Sequence, residues 1–341
     1  LDGLDLARYF AFVGMVVVNF KVVMGVQDGN DLLRQLTGSL DGRAAATFVV
    51  LAGIGLGLAG KRSISQTISV TIKRAVFLLV LGLLNTLVFD ADIIHYYAFY
   101  FFFGMLLLPC SNRLLVFGIL LLNILFVILI LTLNYNSSWN WEDYSYADFW
   151  TPSGFMRNLF FNGWHPVIPW LGFLLFGVVL SRAPLSERST QRKLVVGGVL
   201  TIAAAEGLSA LISPVLTSID VELAVFSSTR PVPPMPLYTL AGIGAASFVV
   251  GLCLMISKRT GKQGILRVAV PAGRQTLTLY IAHILVGMGI LEVLGMHGGQ
   301  SITAAVVAAA LFCAVATIYA LLWRRWFRRG PIEALMRSQT G

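Results

Sequence analysis

The sequence predicts an all-α fold: a polytopic integral membrane helical bundle of about ten transmembrane helices, with both termini cytoplasmic. Three observations predict it. Hydrophobic residues fill 57% of the 341 positions, charged residues only 12%, and mean hydropathy is +0.80, whereas a soluble domain carries about 25% charged residues. Apolar windows of about 20 residues, the length that crosses a hydrocarbon core, recur from end to end. Lys and Arg fall in every second connection between them, and such enrichment marks cytoplasmic loops. A net charge of +9 would point to nucleic acid in a soluble chain. Clustered between apolar spans it reads as topology, so no nucleic-acid partner is expected.

The windows lie near residues 6–25, 44–60, 73–89, 95–110 and 113–133, then 166–181, 194–212, 237–256, 276–296 and 302–323. The basic connections hold Lys61, Arg62, Lys73 and Arg74; Arg113; Arg182, Arg188, Arg192 and Lys193; Lys258, Arg259, Lys262, Arg267 and Arg274; and Arg324, Arg325, Arg328 and Arg329 after the last span. The alternate connections hold Asp28, Asp31 and Asp41; Asp90 and Asp92; Glu142, Asp143 and Asp148; and Asp220 and Glu222. The chain opens on Leu1 rather than Met, so residues upstream are expected, and the first span reads as a retained helix. Residues 1–341 form one domain, without a separate soluble one. The longest connection, 134–165, is an extracytoplasmic loop rich in Trp and Tyr, suited either to stacking on sugar rings or to an interfacial belt with a capping role. Residues 230–236, with four prolines, are too proline-rich for helix and should lead stiffly into span eight. The Gly53 to Gly57 run reads as a close-packing face. Cys110, Cys253 and Cys313 lack metal-ligand or disulfide spacing. The four histidines, His95, His165, His283 and His297, lie on different connections or depths, so no metal is expected.

Polar groups at membrane depth are costly and therefore functional candidates. The most informative stretch is Asp92-Ile93-Ile94-His95-Tyr96-Tyr97. At i and i+3 on a helix, Asp92 can orient the His95 imidazole as a general base, or it can be an N-cap followed by interfacial aromatics. Arg8 and Asn19, eleven residues apart, share a helix face roughly 16 Å apart along the axis. Asn85 suits an interhelical hydrogen bond, Arg274 an inner anchor or a ligand group. Glu206 needs a proton or a partner such as Arg43. Tyr280 and His283 lie in span nine, His283 equally suited to a structural or a functional role.

Several segments together resemble the transmembrane acyltransferases related to heparan-α-glucosaminide N-acetyltransferase, including their bacterial members. They are Leu4-Asp5-Leu6-Ala7-Arg8 through Asn19-Phe20, Gly42-Arg43 before Phe48, Asp92 to Ala98, and His165-Pro166-Val167-Ile168-Pro169-Trp170-Leu171-Gly172. Gly273-Arg274 through Tyr280 and His283, and Gly330-Pro331-Ile332-Glu333, complete the set. The resemblance implies transfer of an acyl group, usually acetyl, from a cytoplasmic acyl-coenzyme A to a glycan or small acceptor on the far side, with His95 as the catalytic histidine. The Arg8 to Asn19 spacing also resembles a second membrane acyltransferase family, which acts on O-antigens, but Asn19 stands where that family has histidine.

The expected enzyme is an acetyl-CoA-dependent O- or N-acetyltransferase of the bacterial inner membrane, in contact with membrane lipids, with a homodimer as the assembly considered. His95, Asp92 and Asn19 are the catalytic candidates. Arg8, Lys73, Arg74, Arg267 and Arg274 are assigned to the phosphates of coenzyme A. Arg43, Tyr96, Trp164, His165 and Glu206 are assigned to the acceptor. The pantetheine arm, roughly 15 to 20 Å when extended, matches the Arg8 to Asn19 rise. The rival reading is a transporter or flippase of a lipid-linked or small polar substrate; a non-catalytic scaffold is a third.

Overall fold

The computed structural model describes residues 1–26, 31–61, 63–260 and 263–341; Asp28, Arg62 and Lys262, which entered the charge pattern above, lie outside them. Its helices are α1 (Asp2–Val23), α2 (Asp31–Gly38), α3 (Arg43–Gly60), α4 (Ile64–Thr86), α5 (Ile94–Leu107), α6 (Asn112–Thr132), α7 (Pro152–Arg157) and α8 (Val167–Ser181). They continue as α9 (Arg188–Ile219), α10 (Pro236–Thr260), α11 (Ile265–Gly273), α12 (Thr276–Ala282), α13 (Gly289–Val293), α14 (Ile302–Trp323) and α15 (Pro331–Thr340). The chain is an all-α, multi-pass membrane bundle. Among the described residues eight helical stretches are long and apolar enough to cross a membrane, Thr276–Val293 counted as one, and the pair Pro152–Asn162 and Val167–Ser181, bent by 52°, makes a ninth. The remaining window, 95–110, corresponds to α5, whose 14 residues rise only about 21 Å against a core of roughly 30 Å. It is shortened because the chain before it is spent on a turn that buries Asp92.

Local sequence sets many of the helix starts. Ser63, Ser111, Thr151 and Ser301 each accept a hydrogen bond from the backbone amide three residues on, satisfying an amide that the helix leaves unpaired. The Gly53 to Gly57 face packs as expected: a Cβ on Gly53 would strike the Leu174 carbonyl, and one on Gly57 the Ser181 side chain, both on α8. The proline-rich lead departs from expectation, because the Met235 amide reaches back to the Pro233 carbonyl at 2.9 Å and makes it a turn.

The basic connections gather at one end of the bundle. Lys61 Nζ donates to the Ser181 carbonyl at 2.7 Å, and Arg182 donates to the Leu108 and Cys110 carbonyls at 2.9 and 2.8 Å. At the other end, residues 134–165 fold into an aromatic cap with a two-residue hairpin that pairs Trp139 with Tyr146. Asn162 pins the cap, its Nδ2 donating to the Tyr135 and Ser137 carbonyls and its Oδ1 accepting from the Tyr146 hydroxyl. Arg157 donates to Asp148, Ser138 and Tyr146.

Candidate active site

α4 and α5 approach closely because position 82 is glycine. A Cβ there would sit 2.7 Å from His95 Cα, so a larger residue would push the start of α5 away. In the turn between them Asp92 is fully buried and its carboxylate accepts five hydrogen bonds. Oδ1 takes Asn85 Nδ2 at 2.7 Å and the Tyr280 hydroxyl at 3.3 Å; Oδ2 takes the Ile94 amide at 2.7 Å, the His95 amide at 3.2 Å and His95 Nδ1 at 3.3 Å. The same carboxylate thus binds the first amides of α5 and the imidazole. With Nδ1–H donated to the carboxylate, Nε2 carries the lone pair. Nε2 is buried without a partner.

The His95 ring is covered, not open. Tyr96 lies 3.9 Å from it, and Phe149 and Phe155 of the aromatic cap lie 5.6 and 6.5 Å away, centroid to centroid. The imidazole lines neither of the two cavities nearby. The larger, about 500 Å³, runs from the basic end, where Arg8, Arg74, Arg274, Arg328, Arg329 and Arg337 line it, to the Ile93–Ile94 turn and Tyr280. The smaller, about 50 Å³, holds Asn19, His165 and Tyr280. One face of α1 lines both, with Asp5, Arg8 and Met15 in the first and Met15, Val18 and Asn19 in the second.

The candidate phosphate ligands separate into two kinds. Arg8 and Arg274 are neutralised: Arg8 donates to Asp5 Oδ1 at 2.5 Å, and Arg274 to Asp5 Oδ2 at 2.9 Å and Asp2 at 2.8 Å. Those bonds, Asp5 foremost, hold the Arg274 guanidinium above its ordinary range. Gly273 allows this, since a Cβ there would strike the Asp5 carbonyl. Arg74 lines the cavity with Arg328, Arg329 and Arg337, and among the described residues none of the four is in an ion pair. The Arg74 Nε is buried without a partner. Lys73 and Arg267 are exposed and off the cavity wall; Lys73 is one residue, hence about 100° of helix, from Arg74.

The candidate acceptor groups are mostly occupied by the protein itself. Arg43 pairs with Glu206, which also accepts from Thr229 at 3.1 Å. The Tyr96 hydroxyl donates to Asn158 at 2.5 Å. Trp164 packs against Trp139 at 5.3 Å, which is itself stacked on Trp141 at 4.6 Å, so these rings face one another. The Trp164 Nε1 and His165 Nδ1 atoms are buried without partners. Asn19 Nδ2 donates to His283 Nε2 at 2.9 Å, away from His95, while His283 Nδ1 bonds the Tyr280 carbonyl.

Sequence reasoning overlooked Asp5, although its i, i+3 spacing to Arg8 signalled the pair. It read Arg328 and Arg329 as topological charge and passed over Arg337. They reach the cavity because the Glu333 carboxylate of α15 accepts from the Leu277 and Thr278 amides at 2.8 and 3.1 Å and from the Thr278 hydroxyl, capping α12.

No curated protein and no solved structure matches the chain significantly. A family described as protein of unknown function (DUF418) matches residues 180–341. The heparan-alpha-glucosaminide N-acetyltransferase catalytic family matches residues 1–212, a stretch that includes the buried Asp92–His95 pair, the Arg8 face of α1 and Arg74. That match covers more than half of the 341 residues, and on it this multi-pass membrane protein belongs to the heparan-alpha-glucosaminide N-acetyltransferase catalytic family.

Proposed function

We propose that the chain moves an acyl group, in the first instance acetyl, from acyl-coenzyme A bound at the basic end to a glycan or small acceptor on the aromatic side, with His95 as general base. The observation that carries this is the imidazole itself: Nδ1 is held by a buried carboxylate and Nε2 is unpartnered. Nε2 takes the proton from the acceptor's hydroxyl or amine as that atom attacks the thioester carbonyl. Asp92 stabilises the imidazolium so formed. The acyl–sulfur bond breaks, and the imidazolium returns the proton to the departing sulfur.

The basic end fits a coenzyme A thioester. Arg74, Arg328, Arg329 and Arg337 line that end outside any ion pair among the described residues, while the two carboxylates of the cavity are engaged elsewhere, Asp5 by Arg8 and Arg274 and Glu333 by the start of α12; like charges at close range favour an anion between them. Arg74, Arg328, Arg329 and Arg337 bind the phosphates in this reading, with Arg8 and Arg274 held by Asp5 as the cavity rim. The Lys and Arg in every second connection support a cytoplasmic position for this end and both termini and an outer position for the cap, as suits an enzyme of a bacterial inner membrane.

The test uses the full chain purified in detergent. Micromolar acetyl-CoA should raise its melting temperature, and the triple variant Arg74→Ala, Arg329→Ala, Arg337→Ala should lose that rise. His95→Ala should keep the rise and lose acetyl transfer to a panel of amino sugars led by glucosamine. Absence of stabilisation in the parent protein, or full transfer by His95→Ala, would sink the proposal.

A further inference from the structure

Both cavities share two wall residues, Met15 and Tyr280. Met15 offers only a thioether, so the hydrogen-bonding group on the shared wall is the Tyr280 hydroxyl. It donates to Asp92 Oδ1 at 3.3 Å and accepts from the Ile93 amide at 3.4 Å. Both bonds are long beside the 2.7 Å contacts that Asn85 and Ile94 make to the same carboxylate, and hydrogen bonds weaken as they lengthen. The hydroxyl is thus held more loosely than those two neighbours, while the backbone behind it is tied down. The Tyr280 carbonyl accepts from His283 Nδ1–H, which leaves His283 Nε2 to accept from Asn19. The chain then widens into a π-helical turn over His283–Met288, an irregularity frequent at functional sites.

We infer that Tyr280 is a positioning residue for the reaction and the partition between its two compartments. With its hydroxyl on Asp92 it steadies the carboxylate that holds His95, and its ring closes the donor cavity from the outer pocket and from water. Rotation of the side chain off Asp92 joins the two beside the carboxylate that holds His95. The inference rests on the reading of His95 as general base. The titratable groups that face the pair are Tyr280 from α12, Tyr96 on α5 itself and His165 ahead of α8; Asn85 and Thr86 of α4 contribute neutral hydrogen bonds.

The test compares two variants of the full chain in detergent, using acetyl-CoA and glucosamine. Tyr280→Phe keeps the ring and loses the hydroxyl. Its KM for acetyl-CoA should stay within about twofold while kcat falls about tenfold, the rate equivalent of one hydrogen bond to a charged group. Tyr280→Ala also opens the partition, so water reaches the thioester and acceptor-free release of thiol from acetyl-CoA should rise. Tyr280→Leu replaces it if the alanine variant loses its acetyl-CoA-dependent melting shift. Parental kcat in Tyr280→Phe, or parental thiol release in the partition variant, would overturn the inference. Full turnover in His95→Ala would instead remove the general-base reading and leave the leak measurement to judge the partition alone.

Discussion

Asp92→Asn isolates charge from shape at the centre of the site. The amide is isosteric with the carboxylate, and the five groups around it can accommodate it. Its oxygen can keep the Ile94 and His95 amides while its nitrogen faces Asn85, which can flip its amide, and Tyr280, whose hydroxyl can accept instead of donate. Several charge-assisted hydrogen bonds become neutral ones, a loss of about 2–4 kcal/mol in stability for the set. The larger effect falls on the chemistry. When His95 Nε2 takes a proton, the imidazolium loses a counter-charge whose oxygen lies 3.3 Å from Nδ1. At about 4 Å between charge centres and an effective dielectric near 20, that interaction is about 4 kcal/mol, which corresponds to about a thousandfold in kcat. Acetyl-CoA should still raise the melting temperature, because the arginine wall of the cavity is untouched. The assay is acetyl transfer by purified protein alongside that melting shift. An Asp92→Asn enzyme within tenfold of the parent kcat would refute the assignment of Asp92 as the imidazolium's counter-charge.

Two other perturbations follow from the same geometry. Gly82→Ala drives a methyl group against the His95 backbone and should cost about 1–3 kcal/mol, lowering the melting temperature and acetyl transfer together while the acetyl-CoA-dependent shift survives; unchanged transfer would mean that the α4–α5 approach does not set His95. In the aromatic cap, the hydrogen bonds from Arg157 hold the Asp148 carboxyl below its ordinary range. A depressed folded value means that this stabilisation is complete above the unfolded value of about 3.9 and fades as pH falls through the folded one. Emission from the Trp139, Trp141 and Trp164 cluster should therefore shift below about pH 4, and Asp148→Asn should abolish that transition.

The bundle was legible along the chain because the bilayer imposes a length and a composition on each span. Asp92 and His95 were legible because i, i+3 spacing places both on one helical face before any packing is known. The Arg43–Glu206 pair was foreseen as the bland alternative, since two opposite charges in apolar surroundings have few other partners.

What one dimension could not supply was the occupation of each group by another far along the chain. Asp5 neutralises Arg274 across 269 positions, and Glu333 docks α15 so that Arg337 faces Arg74; neither follows from a local pattern. The aromatic loop read as well for sugar stacking as for a cap, and only packing turned its rings on one another and put Phe149 over His95. Composition and spacing thus determined that a charged pair and a basic face exist in an apolar bundle, because those are local consequences of helix geometry and solvation. Which of the described arginines stay out of ion pairs, which tyrosine stands on the wall shared by the two cavities, and what covers the imidazole were decided by long-range contacts alone.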